Sequence, residues 1–259
     1  MPGYALVIAY EGTRFAGWQE QSANRTVAGV IKDSFSRAFG YSCTLVGASR
    51  TDAGVHALGQ VACLRTDLAI DAKKLHFALQ NQLPSDIYIR QVGVARPGYH
   101  PHHAVCWKEY QYYVARHRCL PGYAPFCAVY PYAIDAERFA WAMGQYWGTH
   151  DFWSFGSSSS DGAGVATVCT ILHSTIAYIK QARAYRVTIR GDRFIHHMVR
   201  RMIGASLRYA SYADVPESYL LSCLNERVDR MLIPTAPAQG LVLRKIMYTK
   251  GVAHGAIWS

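Results

Sequence analysis

Asp52 is the residue whose surroundings best suit chemistry. It sits in Gly47-Ala48-Ser49-Arg50-Thr51-Asp52-Ala53-Gly54-Val55-His56, which links two short strand-like segments and reads as a loop projecting from a sheet edge. A carboxylate can act as a nucleophile or as a general base. In extended backbone, residues two apart point the same way, so Arg50 and Asp52 can share a face. Ala48, Ser49, Ala53 and Gly54 are small and leave room for a large substrate. The bland alternative is a Thr51-Asp52 turn in which the carboxylate only binds nearby backbone.

Other chemistries find little support. The seven cysteines include no C-x-x-C pair, so they read as reduced thiols, mostly in the core, with no structural zinc. No P-loop or Rossmann glycine pattern occurs. His100, His102 and His103 lie in a loop or edge without a cysteine pair, and His196-His197 are expected on one helix with rings on different sides. No metal and no cofactor are expected. A metal-dependent nuclease would need clustered acids to hold its ion, and along the chain Asp52 has no carboxylate neighbour nearer than Asp67.

The elements that must position Asp52 follow from periodicity and caps. Gly3 to Tyr10 reads as a strand, Glu11 to Arg25 as a loop, and Thr26 as the cap of a helix to about Phe39 with apolar residues at helical spacing. Strands are expected at Ser42–Val46, Gly59–Arg65 and Asp86–Val94, with a helix from Asp71 to Gln80. In the second half, strands are expected at Val105–Arg116, Val168–Lys180, Ala182–Arg190 and Leu241–Tyr248. Helices are expected from Asp135 to about Trp147, from Arg193 to Tyr209, and from Pro216. The Gly156-to-Gly164 tract reads as a flexible loop. Strands and helices alternate without the crossover period of a doubly wound sheet, which predicts an α+β fold with a mixed sheet. No internal sequence repeat is visible.

At 259 residues, 51% of them hydrophobic, the chain can bury a substantial core, and no apolar run reaches the roughly 20 residues needed to cross a bilayer. Met1-Pro2-Gly3-Tyr4 carries no charged leader, so a cytoplasmic protein is expected. The net charge of +10 suits a polyanionic partner. The excess is local: Lys180 to Arg208 holds eight basic residues and one acid, Asp192.

The Asp52 loop closely resembles the active-site motif of the TruA family of tRNA pseudouridine synthases. Phe15-Ala16-Gly17-Trp18-Gln19 with Arg25-Thr26-Val27 is similar to that family's N-terminal loop and first helix. Asn81-Gln82-Leu83-Pro84-Ser85-Asp86-Ile87 resembles its N-x-L-P-x-D-I segment, and Lys108-Glu109-Tyr110-Gln111-Tyr112 its basic-x-Tyr-x-Tyr strand. Phe194 to Arg200 and Ala236 to Leu241 resemble two C-terminal signatures. The six lie in order over nearly the whole chain.

The resemblance implies a pseudouridine synthase fold: a mixed, mainly antiparallel central sheet flanked by helices, in two similar halves around a catalytic cleft. The expected division is 1–100, carrying the aspartate loop, and 101–259, completing the cleft. It implies Asp52 as the catalytic aspartate and Tyr110 as the tyrosine that stacks on the target base. Arg200 would pair with the carboxylate, Leu241 would pack under the base, and Arg50 would belong to the RNA-facing loop. An arginine beside Asp52 would favour its charged form. The implied reaction isomerises uridine to pseudouridine at positions 38, 39 and 40 of tRNA, by a homodimer without cofactor. The rival reading is a catalytically inactive RNA-binding protein of the same fold, against which the intact Arg50-Thr51-Asp52 and Tyr110 speak. The Tyr99-His100-Pro101-His102-His103-Ala104 stretch departs from the family's usual F-H-A-R-F-S, with His102 where an arginine is common. Val168-Cys169-Thr170 stands where R-T-I is familiar.

Overall fold

The computed structural model describes residues 2–157 and 166–249, so most of the Gly156-to-Gly164 tract lies outside the described residues. The chain forms two compact units, 1–106 with 243–259, and 107–242. Most of the last strand belongs with the first unit.

In the first unit, β1 (Gly3–Tyr10) pairs antiparallel with β3 (His56–Arg65) and with β4 (Ile87–Val94). The short β2 (Thr44–Gly47) and β10 (Leu241–Tyr248) also pair with β3. An added Cβ on Gly59 would lie 2.6 Å from the Arg244 carbonyl oxygen, so only glycine allows this approach. Helix α1 (Val27–Phe39) starts where the Thr26 hydroxyl accepts the Gly29 N–H, and it ends at Gly40, which takes a left-handed φ of 71°. Helix α2 (Ala72–Gln82) starts where the Asp71 carboxylate accepts the N–H groups of Lys73 and Lys74. Ile31, Phe35, Leu75 and Leu79 of these helices are fully buried, as are Leu6 and Ile8 of β1.

In the second unit the strand order is β5 (Val105–Ala115), β9 (Ala184–Gly191), β8 (Val168–Ile179), β7 (Gly148–Asp151), all antiparallel. A two-residue strand, β6 (Ala128–Val129), runs parallel to β5. Helices α3 (Ala136–Gly144), α4 (Met198–Ser211) and α5 (Glu217–Asn225) complete the unit. Phe139, Met143, Met202, Ile203, Val187 and Ile189 are buried.

The sheet is mixed and mainly antiparallel, as expected. Element order repeats: β1-α1-β2-β3-α2-β4 is followed by β5-α3-β8-β9-α4-β10, two βαββαβ runs embellished by β6, β7 and α5. Helix α3 ends earlier than the expected Trp147, because the chain turns at Gly144 and reverses through Gly148 at φ 105° into β7.

The expected helix from Arg193 is corrected as well. Residues 193–197 are not helical. The Asp192 carboxylate accepts the N–H groups of Arg193 (2.7 Å) and Thr170 (2.9 Å), and His197 adopts a left-handed φ of 67° at the cap of α4. Consequently His196 and His197 do not project from a helix to different sides; their ring centroids are 4.0 Å apart.

Candidate active site

The Asp52 loop is held from both ends by the N-terminal loop. Trp18 N–H donates to the Thr51 carbonyl at 3.1 Å, and Gly54 N–H donates to the Phe15 carbonyl at 3.2 Å. Residues 15–18 therefore flank residues 51–54 as a short ladder. Gly17 sits at φ 98°, where an added Cβ would be 2.6 Å from the Thr51 oxygen. Gly47 has the Trp18 indole where a Cβ would go. Gly12 abuts the Val55 carbonyl and donates its N–H to His56 Nδ1 at 3.0 Å. The His56 proton is thereby placed on Nε2.

Within the loop, Thr51 is buried and its hydroxyl lies 2.8 Å from the Tyr10 hydroxyl. Val55 N–H donates to the Asp52 carbonyl at 3.1 Å, closing a turn with Gly54 at φ 79°. The turn is thus made by the Asp52 main chain, leaving its carboxylate out of that bond. Upstream, Gln60 donates to the Ser49 carbonyl at 2.6 Å and accepts the Ser49 N–H at 3.2 Å. Asp52 is half-buried between buried Thr51 and exposed Ala53, while Arg50 is exposed.

Sequence reasoning missed Asp86. Its carboxylate is buried and takes both guanidinium nitrogens of Arg25, at 3.0 and 3.1 Å, and Arg14 at 3.2 Å. Its carbonyl accepts the Glu11 N–H at 3.0 Å. Arg25 also covers the Phe15 ring at 4.0 Å. Asp86 thus anchors the loop that flanks Asp52, and the available signal was its place in the N-x-L-P-x-D-I segment.

The second unit carries Tyr110, Arg200 and Leu241. Tyr110 is buried on β5 opposite Ile189, with its ring edge-to-face against Phe194 at 5.2 Å. Half-buried Arg200 on α4 donates from Nε to the Ala236 carbonyl at 2.8 Å, and its own carbonyl accepts the Ala236 N–H at 3.0 Å. The next residues pack on β5: Tyr112 donates to the Pro237 carbonyl at 3.0 Å, and Gly240 lies against the Tyr112 ring and the Tyr113 carbonyl. Buried Leu241 follows directly. One segment, 236–241, therefore fixes both Arg200 and Leu241. Lys108, two residues before Tyr110, has its ammonium pushed down to about 8 by burial.

The tRNA pseudouridine synthase family model matches residues 6–97 and 142–249. The tRNA pseudouridine synthase A of Thermoanaerobacter sp. (strain X514) is 33% identical over 249 residues, 96% of this chain and 100% of the relative. That of Streptococcus pneumoniae (strain P1031) is 35% identical over 254 residues, 96% and 99% of the two chains. The chain belongs to the TruA family of tRNA pseudouridine synthases. It is an isomerase acting within one molecule, consistent with the α+β fold and the aspartate loop on it. No helix among the described residues is long and apolar enough to cross a membrane.

Of the basic run, Arg190 binds Glu109 at 2.5 Å and lies over the Trp107 ring at 5.0 Å. Arg186, four ladder positions along, faces Tyr113 and Ala177, and its buried Nε has no hydrogen-bond partner. Of the three loop histidines, His102 and His103 are exposed, and the His100 ring lies 5.4 and 4.7 Å from theirs.

Proposed function

We propose that Asp52 is the catalytic carboxylate and that the chain isomerises uridine in the anticodon arm of tRNA, at positions 38, 39 and 40. The observation that carries the reading is the framing of Asp52. Its neighbours Thr51 and Gly54 are fixed by main-chain bonds to Trp18 and Phe15, and its own carbonyl closes the turn. A carboxylate on so rigid a base is preorganised to attack or to take a proton.

In the reaction the N1–C1′ bond breaks, the base turns, and C5 bonds to C1′, so no group is transferred and no redox partner is needed. Asp52 acts as nucleophile or base. The target base must leave the stack, at about a few kcal/mol, which aromatic and apolar contacts offset. Tyr110 and Leu241 have that chemistry, and Phe194 packs edge-to-face against the tyrosine ring. Arg200 supplies a cation whose position is fixed by Ala236, and exposed Arg50 is available to the RNA backbone. The enzyme works as a cytoplasmic homodimer, with the tract 1–100 bringing the aspartate loop and 101–259 the remaining contacts.

Incubation of the purified protein with unmodified tRNA transcript, followed by pseudouridine mapping, tests this reading. Pseudouridine at one or more of positions 38 to 40 is expected. Binding without any pseudouridine would favour the inactive RNA-binding alternative.

A further inference from the structure

The second unit contains a cavity of about 440 Å³ on the far part of α4, lined by Tyr130, Leu207, Arg208, Tyr212 and the Pro234–Pro237 segment. Its walls are fixed. Gly204 of α4 lies so close to the Pro234 carbonyl that a Cβ would sit 2.0 Å from the oxygen. Ala236 is bonded to Arg200 through both N–H and carbonyl. The Tyr130 hydroxyl reaches the Leu207 carbonyl at 3.5 Å. Tyr132 bridges the two lining tyrosines, with centroids 5.2 Å from Tyr130 and 5.4 Å from Tyr212.

The polar groups are equally placed. Arg208 is exposed, with its guanidinium 5.0 Å over the Tyr219 ring and donating to the Leu232 carbonyl at 3.4 Å. Asp214, also exposed, supplies an acceptor on the same lining. Arg208 lies eight residues beyond Arg200 on one helix, about 12 Å along its axis.

We propose that this cavity is a nucleotide subsite that holds an unstacked residue of the tRNA substrate. The base lies against the tyrosine walls, Asp214 accepts from a base N–H or ribose hydroxyl, and Arg208 meets the phosphate. The cavity is of the size that takes a small ligand. The argument for RNA is the pairing of aromatic faces with a held, exposed arginine in an enzyme that acts on tRNA. The proposal rests on that reading, but wild-type turnover of tRNA stands whether or not the cavity is filled.

Tyr212→Trp places an indole at the cavity, and its emission is followed against wild type. Titration with tRNA should quench the added emission, and uridine 5′-monophosphate should do so only at much higher concentration. Tyr212→Ala should weaken tRNA binding about tenfold, within the range for one lost base stack. Arg208→Ala should weaken binding and lower the log–log salt slope by about one. Unchanged melting of both variants keeps the comparison valid, since both side chains are exposed. Quenching by the free nucleotide but not by tRNA would overturn the proposal, as would wild-type tRNA affinity in Tyr212→Ala. So would a monomeric mass in Tyr212→Ala with full tRNA affinity, which would make the cavity a contact between copies.

Discussion

Asp86 and Arg25 form a two-point ion pair at 3.0 and 3.1 Å, and it ties the β4 entrance to the loop that flanks Asp52. The carboxylate is buried while Arg25 is partly exposed, so the pair's value lies in geometry as much as in charge. Asp86→Ala releases Arg25 and Arg14 together. It should lower unfolding free energy by about 2 kcal/mol and cut turnover at saturating tRNA, read by urea denaturation and single-turnover assay. Wild-type turnover would mean the loop keeps its shape without this anchor.

Gly17 gives a sharper backbone test. At φ 98°, with a would-be Cβ 2.6 Å from the Thr51 oxygen, Gly17→Ala must move the chain next to Asp52. It should destabilise by about 1–3 kcal/mol and depress the rate more than tRNA affinity. The control is Gly122→Ala, where no atom lies within 4 Å of the added methyl; it should leave both nearly unchanged.

Much of this site was legible. The loop that carries Asp52, though β2 runs on to Gly47 and β3 starts as early as His56, follows from composition and spacing, as do the helix caps at Thr26 and Asp71 and most strands. Other features were not. The doubled βαββαβ order leaves no sequence repeat, because a core demands apolar residues of suitable size rather than particular ones. The strands β6 and β7 are too short to show a period and exist through their partners. The start of α4 was hidden because His196-His197-Met198 has acceptable helix propensity, while the left-handed φ at His197 is imposed by its surroundings. Arg190 belongs to the basic run of Lys180 to Arg208, and its pairing with Glu109 directly opposite on β5 joins residues too far apart in the chain for spacing to reveal.

That pairing changes what salt dependence should reveal. Arg186→Ala should reduce the log–log salt slope of tRNA binding by close to one, as for a lost phosphate contact. Arg190→Ala should reduce it less, because Glu109 already neutralises that charge. Equal, unaltered slopes would make both arginines a solvated face.

Lys108 carries a pH signature. Burial pushes its ammonium down to about 8, below the ordinary 10.5 of an unfolded lysine. The unfolded chain therefore binds the proton more tightly, and the burden on folding is full below about pH 8. It fades as pH rises from about 8 towards 10.5, so this group makes stability increase across that window. Urea midpoints measured from pH 7.5 to 10 should rise more for wild type than for Lys108→Met. Parallel curves would place the lysine charge in solvent.

The central claim concerns the Asp52 carboxylate, and Asp52→Asn tests it most directly. The amide keeps the side chain's size and leaves the Asp52–Val55 turn intact, since that bond uses main-chain atoms only. Single-turnover pseudouridine formation should fall below a percent of wild type, while tRNA affinity stays within a few-fold. Turnover above that level in the asparagine variant, at saturating enzyme, would remove Asp52 from the mechanism.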